Sequence, residues 1–132
     1  MYPSHQKSAL QAYQRAQNSA MSPIQMEVMA FNRAAAGLKR AAENLHDFGG
    51  YVEALRFNQR LWTAVQASLV DDPERMPEPV RTNMLNLSLF IDKQTLDALT
   101  NPEAKKLTAL IEINLAMAGG LFDNTRAKRT LN

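Results

Sequence analysis

Two short stretches govern how this chain can fold. Ser22-Pro23-Ile24-Gln25 and Asn101-Pro102-Glu103 each set a capping side chain directly before a proline. A Ser or Asn cap accepts from the free N–H groups of a first helical turn, and proline at the first helical position loses no hydrogen bond. Around these two starts, Ala, Leu, Met, Gln, Glu, Lys and Arg fill most positions, and β-branched runs are absent. Apolar residues recur every three or four positions rather than every second one, which is helical spacing. The 132 residues suit one domain. The expected fold is all-α, a single-domain bundle of about five helices over residues 1–122, followed by a polar, flexible tail over 123–132.

Glycine and proline divide the chain into segments. The first, about Ser4 to Ala20, carries Ala9, Ala12, Tyr13, Ala16 and Ala20 on one face, a stripe that buries little area. The second starts at Ser22-Pro23 and places Ile24, Val28, Phe31, Ala35, Leu38, Ala42 and Leu45 together, with Gly49-Gly50 stopping it or a short turn that follows it. The third, about Tyr51 to Val70, gathers Val52, Leu55, Leu61, Trp62, Val65 and Leu69, with Asn58 in their midst. Pro73, Pro77 and Pro79 then require a loop.

The fourth segment, about Val80 to Leu99, is apolar on two sides. Val80, Met84, Leu87, Ile91 and Ala98 form one stripe, flanked by Asn83, Phe90 and Gln94, and Leu85, Leu89 and Leu96 form another opposite it. Such a helix is either central to its bundle or offers one face to a partner. The fifth, opening at Asn101-Pro102, aligns Leu107, Leu110, Ile111, Met117, Ala118 and Leu121 around Asn114, and Gly119-Gly120 is expected to loosen its end.

Several function classes receive no support. There is no cysteine, and the two histidines, His5 and His46, lie far apart in sequence, so neither a metal site nor any other cofactor is called for. No nucleophile elbow, phosphate-cradling glycine loop or His-Glu-x-x-His helix is present, and an enzyme is not expected. A secretory leader and a long apolar run are also missing, which points to a cytoplasmic protein with no membrane role. Net charge is +2, and the basic residues are scattered rather than interleaved with aromatics, so direct RNA binding is not expected.

What remains is contact with a protein. Leu85, Leu89 and Leu96, as a wall of an apolar groove for a partner helix, with Phe57 or the pair Met26 and Met29, which point away from the second segment's stripe, are the candidate partner-binding residues. Methionine suits a surface that must repack around a partner and release it. Asn58, Asn83, Gln94 and Asn114 are the candidate buried polar residues. A buried amide must be hydrogen-bonded. These side chains either tie helices together or hold the backbone of an inserted peptide.

From Met1 to about Leu121 the chain resembles the FlaF family of flagellar biosynthesis regulators. The likeness runs from Met1-Tyr2-Pro3 through Glu27-x-x-x-Phe31 and Ala34-Ala35-Ala36, and is sharpest at Ala54-Leu55-x-x-Asn58-x-x-Leu61-Trp62. It continues in Pro77-x-Pro79-Val80-Arg81-x-Asn83 and Asn86-Leu87-x-x-Phe90-Ile91, and closes with Leu107-x-x-Leu110-Ile111-x-Ile113-Asn114 and Ala118-Gly119-Gly120-Leu121. The resemblance implies a role in flagellin synthesis and secretion, alongside FlbT, a repressor acting on flagellin messenger RNA. It also implies flagellin as a direct partner, bound as an export chaperone binds it; the alternatives are a post-transcriptional regulator of flagellin messenger RNA acting with or against FlbT, and an adaptor that binds FlbT only. It carries over no catalytic residue.

Overall fold

The computed structural model describes residues 23–131; of Ile24 and of 121–131 it describes the backbone alone. The expected first helix over Ser4 to Ala20 and His5 lie outside the described residues, as do the side chains of Ile24 and Leu121. The described chain forms α1 (Pro23–Ala42), α2 (Phe48–Asp71), α3 (Glu78–Thr100), a 3-10 turn (Ala104–Leu107) and α4 (Thr108–Leu131), with no strand among the described residues. The all-α class stands.

Local chemistry explains the boundaries. α1 runs from Pro23, the first described residue, and its last turn carries Lys39 and Arg40, cations that suit the negative end of a helix. It stops at Ala42, earlier than expected, so Leu45 leaves the stripe and is exposed in the turn beyond. Gly49 and Gly50 do not end α1; they sit in the first turn of α2. There Asp47 caps the helix by accepting from the Gly50 N–H at 3.0 Å. A Cβ at position 50 would fall 2.5 Å from the Asp47 Oδ2, so only glycine leaves the capping carboxylate in place.

The C-terminal helix also departs from expectation. Glu103, extended in backbone, leads into the 3-10 turn, and α-helical geometry starts only at Thr108. α4 then runs through Gly119 and Gly120 to Leu131, so residues 123–131 continue a helix instead of following one as a tail. Neither glycine has positive φ, and a Cβ at either would meet nothing within 4 Å. The pair weakens the helix by about 1 kcal/mol per residue without breaking it.

Packing centres on α1 and α2. α1 lies along α4 and beside α2, and α3 packs against α2. Ala34, Ala35 and Ala41 are buried with Phe31 and Leu38, and their small side chains let the neighbouring backbones approach closely. Phe31 meets Trp62 edge-on, with ring centroids 5.6 Å apart. Leu55, Leu69, Ile91, Leu107 and Leu110 complete the interior.

Two polar devices cross this core. Trp62 Nε1 donates to Asn114 Oδ1 at 2.9 Å, and Asn114 Nδ2 donates to Asn58 Oδ1 at 2.7 Å, all three side chains being fully buried. Of the two roles open to these amides, this geometry selects the tie between helices. Asn58 Nδ2 is buried with no partner among the described residues. Tyr51, which the stripe analysis left out of the core, is also fully buried, and its hydroxyl donates to the Ala98 carbonyl at 2.7 Å. That carbonyl lies in the last turn of α3, where no intrahelical N–H is available to it. Burial pushes the Tyr51 phenol above its ordinary value.

Asn114→Ala orphans both the Trp62 N–H and Asn58 Oδ1, whereas Asn58→Ala orphans only Asn114 Nδ2 and removes an unpaired amide. Urea unfolding should show Asn114→Ala to be the costlier by roughly 1–3 kcal/mol, with the double variant costing less than the sum. Strict additivity would mean that the two amides act separately. Tyr51 gives a pH test. Its folded pKa is raised, so the stability it contributes is complete below about pH 10 and lost as pH climbs through the folded value. Tyr51→Phe should lose about 1 kcal/mol at neutral pH yet decline less steeply in alkali. Parallel alkaline declines for the two proteins, by urea unfolding, would rule out a neutral buried phenol.

Candidate functional site

The face of α3 that packs on α2 is built from Ser88, Ile91, Thr95 and Ala98. Two of these are polar, and the sequence reading missed both. Each hydroxyl satisfies itself within its own helix, Ser88 Oγ donating to the Leu85 carbonyl and Thr95 Oγ1 to the Ile91 carbonyl, both at 2.7 Å. A self-satisfied Ser or Thr is small and effectively apolar, so burial costs it little. The signal was the spacing of Ser88 and Thr95 at i and i+7, in register with Ile91 and Ala98.

With that side against α2, the opposite stripe faces outward. Leu89 and Leu96 are 61% and 66% exposed, while Leu85 is half-buried at the stripe's edge. Phe90 and Val80 are exposed as well, Val80 because it sits in the first turn, so it is not the core residue the stripe implied. Asn83 is exposed rather than buried. At 100° per residue it stands about 100° from the centre of the packed face, too far for its short side chain to reach the interior. Gln94 lies on the same flank but is longer. Its Nε2 donates to the Lys106 carbonyl at 2.8 Å, and Lys106 Nζ pairs with Asp97 at 3.2 Å, which fastens α3 to the 3-10 turn.

The remaining candidates separate. Phe57 is half-buried beneath the Arg33 guanidinium, 5.0 Å above its ring, in a cleft of about 380 Å³ between α1 and α2. That cleft carries Arg33 and Arg40 but also Asp47 and Glu53, so its charges offset. Met26 and Met29 are 49% and 54% exposed; Met26 lines a second cavity, whose lining does not include Met29. The structure therefore does not gather the six predicted contact residues on one surface.

The cavity beside Met26 is a groove of about 260 Å³. α1 contributes Met26, Ala30 and Phe31; α2 contributes Leu61, Val65 and Leu69; Met76 comes from the α2–α3 loop, Met84 from α3 and Met117 from α4. Four of the seven methionines thus meet around one apolar space. At its rim Arg75 forms an ion pair with Glu27 and donates to Ser68 Oγ. Met84 and Met117 had been assigned to core stripes, and Glu27, Ser68, Arg75 and Met76 had been given no site role.

Residues 9–121 match the family model of the flagellar protein FlaF. The chain belongs to the FlaF family. No curated protein and no solved structure matches it. The FlaF match takes in α1 to α3, the first part of α4 and every residue that lines the groove. The FlaF-like stretch Ala54-Leu55-x-x-Asn58-x-x-Leu61-Trp62 is architectural here: Leu55, Asn58 and Trp62 are fully buried, and two of them belong to the amide chain. Among the described residues, no helix is long and apolar enough to cross a membrane.

Proposed function

We propose that this FlaF-family protein promotes flagellin synthesis and secretion by binding flagellin in the cytoplasm as an export chaperone, through contact and not catalysis. The observation that carries this reading is the methionine-lined groove. Flagellin's terminal segments are amphipathic and unstable until they polymerise, so a chaperone must cover an apolar helix face. A groove walled by helices takes such a face as a ridge of side chains at i, i+3, i+4 and i+7. Methionine, unbranched and polarisable, repacks around different ridges at small cost and lets them leave. Family membership supplies the flagellar setting, and the groove supplies the means.

A second protein contact, with FlbT, draws on a separate observation. Leu89 and Leu96 face away from α2, on the side of α3 opposite Met84, so this stripe is independent of the groove. Direct RNA contact is disfavoured. Among the described residues, the arginine stacked on an aromatic ring, Arg33 over Phe57, lies in a cleft where Asp47 and Glu53 offset the charge of Arg33 and Arg40, which leaves no net attraction for a phosphate.

Purified protein mixed pairwise with flagellin and with FlbT on a gel-filtration column tests both contacts. Met26→Asp puts a charge at the groove wall in an already half-exposed position and should weaken flagellin co-elution about tenfold or more while sparing FlbT. Leu89→Asp should do the reverse. A Met26→Asp protein with unchanged circular dichroism that still travels with flagellin would remove the groove from the mechanism.

A further inference from the structure

The loop between α2 and α3 lines the groove through Arg75 and Met76, and little of its own backbone ties it down. Pro73 and Pro77 within it, and Pro79 just beyond, have no N–H to donate and hold φ fixed, so the segment is stiff yet poor in backbone ties. Between α2 and the first turn of α3, its own backbone bond runs from the Arg75 N–H to the Asp72 carbonyl at 3.2 Å. The fastening falls to one side chain. Arg75 reaches Ser68 on α2 and Glu27 on α1, spanning two walls of the groove, and the adjacent Met76 turns half-buried into the lining. The ion pair is itself partly open to water, with side chains 38% and 34% exposed. A pair so placed is screened by salt and holds weakly.

We infer that residues 72–77 form a stiff cover over the methionine groove, closed by Arg75 on Glu27 and Ser68, and that release of this single guanidinium opens the groove to an apolar helix. The inference rests on the reading of the groove as a docking site for its choice of ligand, though not for the movement of the cover. On this inference closure shields the half-buried Met84 and Met117, which line the groove, while Met29, exposed and not in its lining, serves as the reference. The cover therefore controls access to methionine sulfur, which can be measured without any partner.

Full-length protein treated with hydrogen peroxide, with sulfoxide formation followed by peptide mass spectrometry, gives the test. Peroxide transfers one oxygen atom to the thioether and leaves as water, at a rate set by exposure. In Glu27→Gln, oxidation of Met84 and Met117 relative to Met29 should rise about two- to fivefold, the range an ion pair of this exposure can supply. Added salt should raise the same ratio in the wild type and leave it unchanged in the variant. The charge swap Glu27→Arg with Arg75→Glu should return the ratio towards the wild-type value, which separates a cover from a general loosening of the fold. An unchanged ratio in Glu27→Gln, or a rise for Met29 alone, overturns the proposal. Flagellin association measured on the same variant keeps the two readings apart: faster oxidation with an unaltered association rate supports the cover and counts against the groove as flagellin's seat.

Discussion

Three side chains, Trp62, Asn114 and Asn58, form a hydrogen-bonded chain through an interior that is mostly hydrocarbon. Hydrophobic contact alone leaves helices free to slide and rotate against one another at little cost, because one apolar ridge resembles the next. A directional bond between buried amides removes that freedom, since any other register strands polar groups away from water. The groove depends on this alignment. Val65 lies about one turn beyond Trp62 and Met117 about one turn beyond Asn114. The bond that sets α2 against α4 therefore also sets two walls of the cavity.

The groove persists as a cavity because of what lines it. Its floor and sides come from four helices and a loop, and methionine recurs where leucine or isoleucine would interlock more rigidly. A β-branched or γ-branched lining would either fill the space or hold it in one shape. Thioether side chains instead tolerate an empty state and a filled one. The same molecule thus combines a rigidly specified centre with an adaptable margin about one helical turn away. This contrast suits the proposed role, in which the protein holds another chain and then lets it go.

Much of the architecture was legible in residue order. Helical spacing located Phe31, Leu38, Leu55, Trp62, Leu69, Ile91, Leu107 and Leu110 in the core, and the two asparagines inside apolar stripes are buried as that position required. The departures share a cause: a local pattern cannot show what meets it in space. Gly49-Gly50 read as a stop until Asp47 was seen to cap the turn that contains them. Ser88 and Thr95 belong to no apolar stripe in the sequence, and what makes them buriable is a carbonyl partner within their own helix. Tyr51 read as a helix start, and the carbonyl that accommodates its hydroxyl is 47 residues away. The groove was the least visible feature, assembled from five separate segments, each of which contributes only one methionine or a short apolar edge. The outward stripe of α3 was visible because one helix carries all of it.

The Tyr51 bond to Ala98 joins the beginning of α2 to the end of α3, at the opposite pole of this helical hairpin from the loop that bears Arg75. It acts as a rivet placed far from the hinge. Whatever displacement occurs at the loop end, the two rods stay clasped at their other tips, and the disturbance is confined to a few residues. Such an arrangement lets one corner of a small bundle yield repeatedly without bringing the whole assembly nearer to melting.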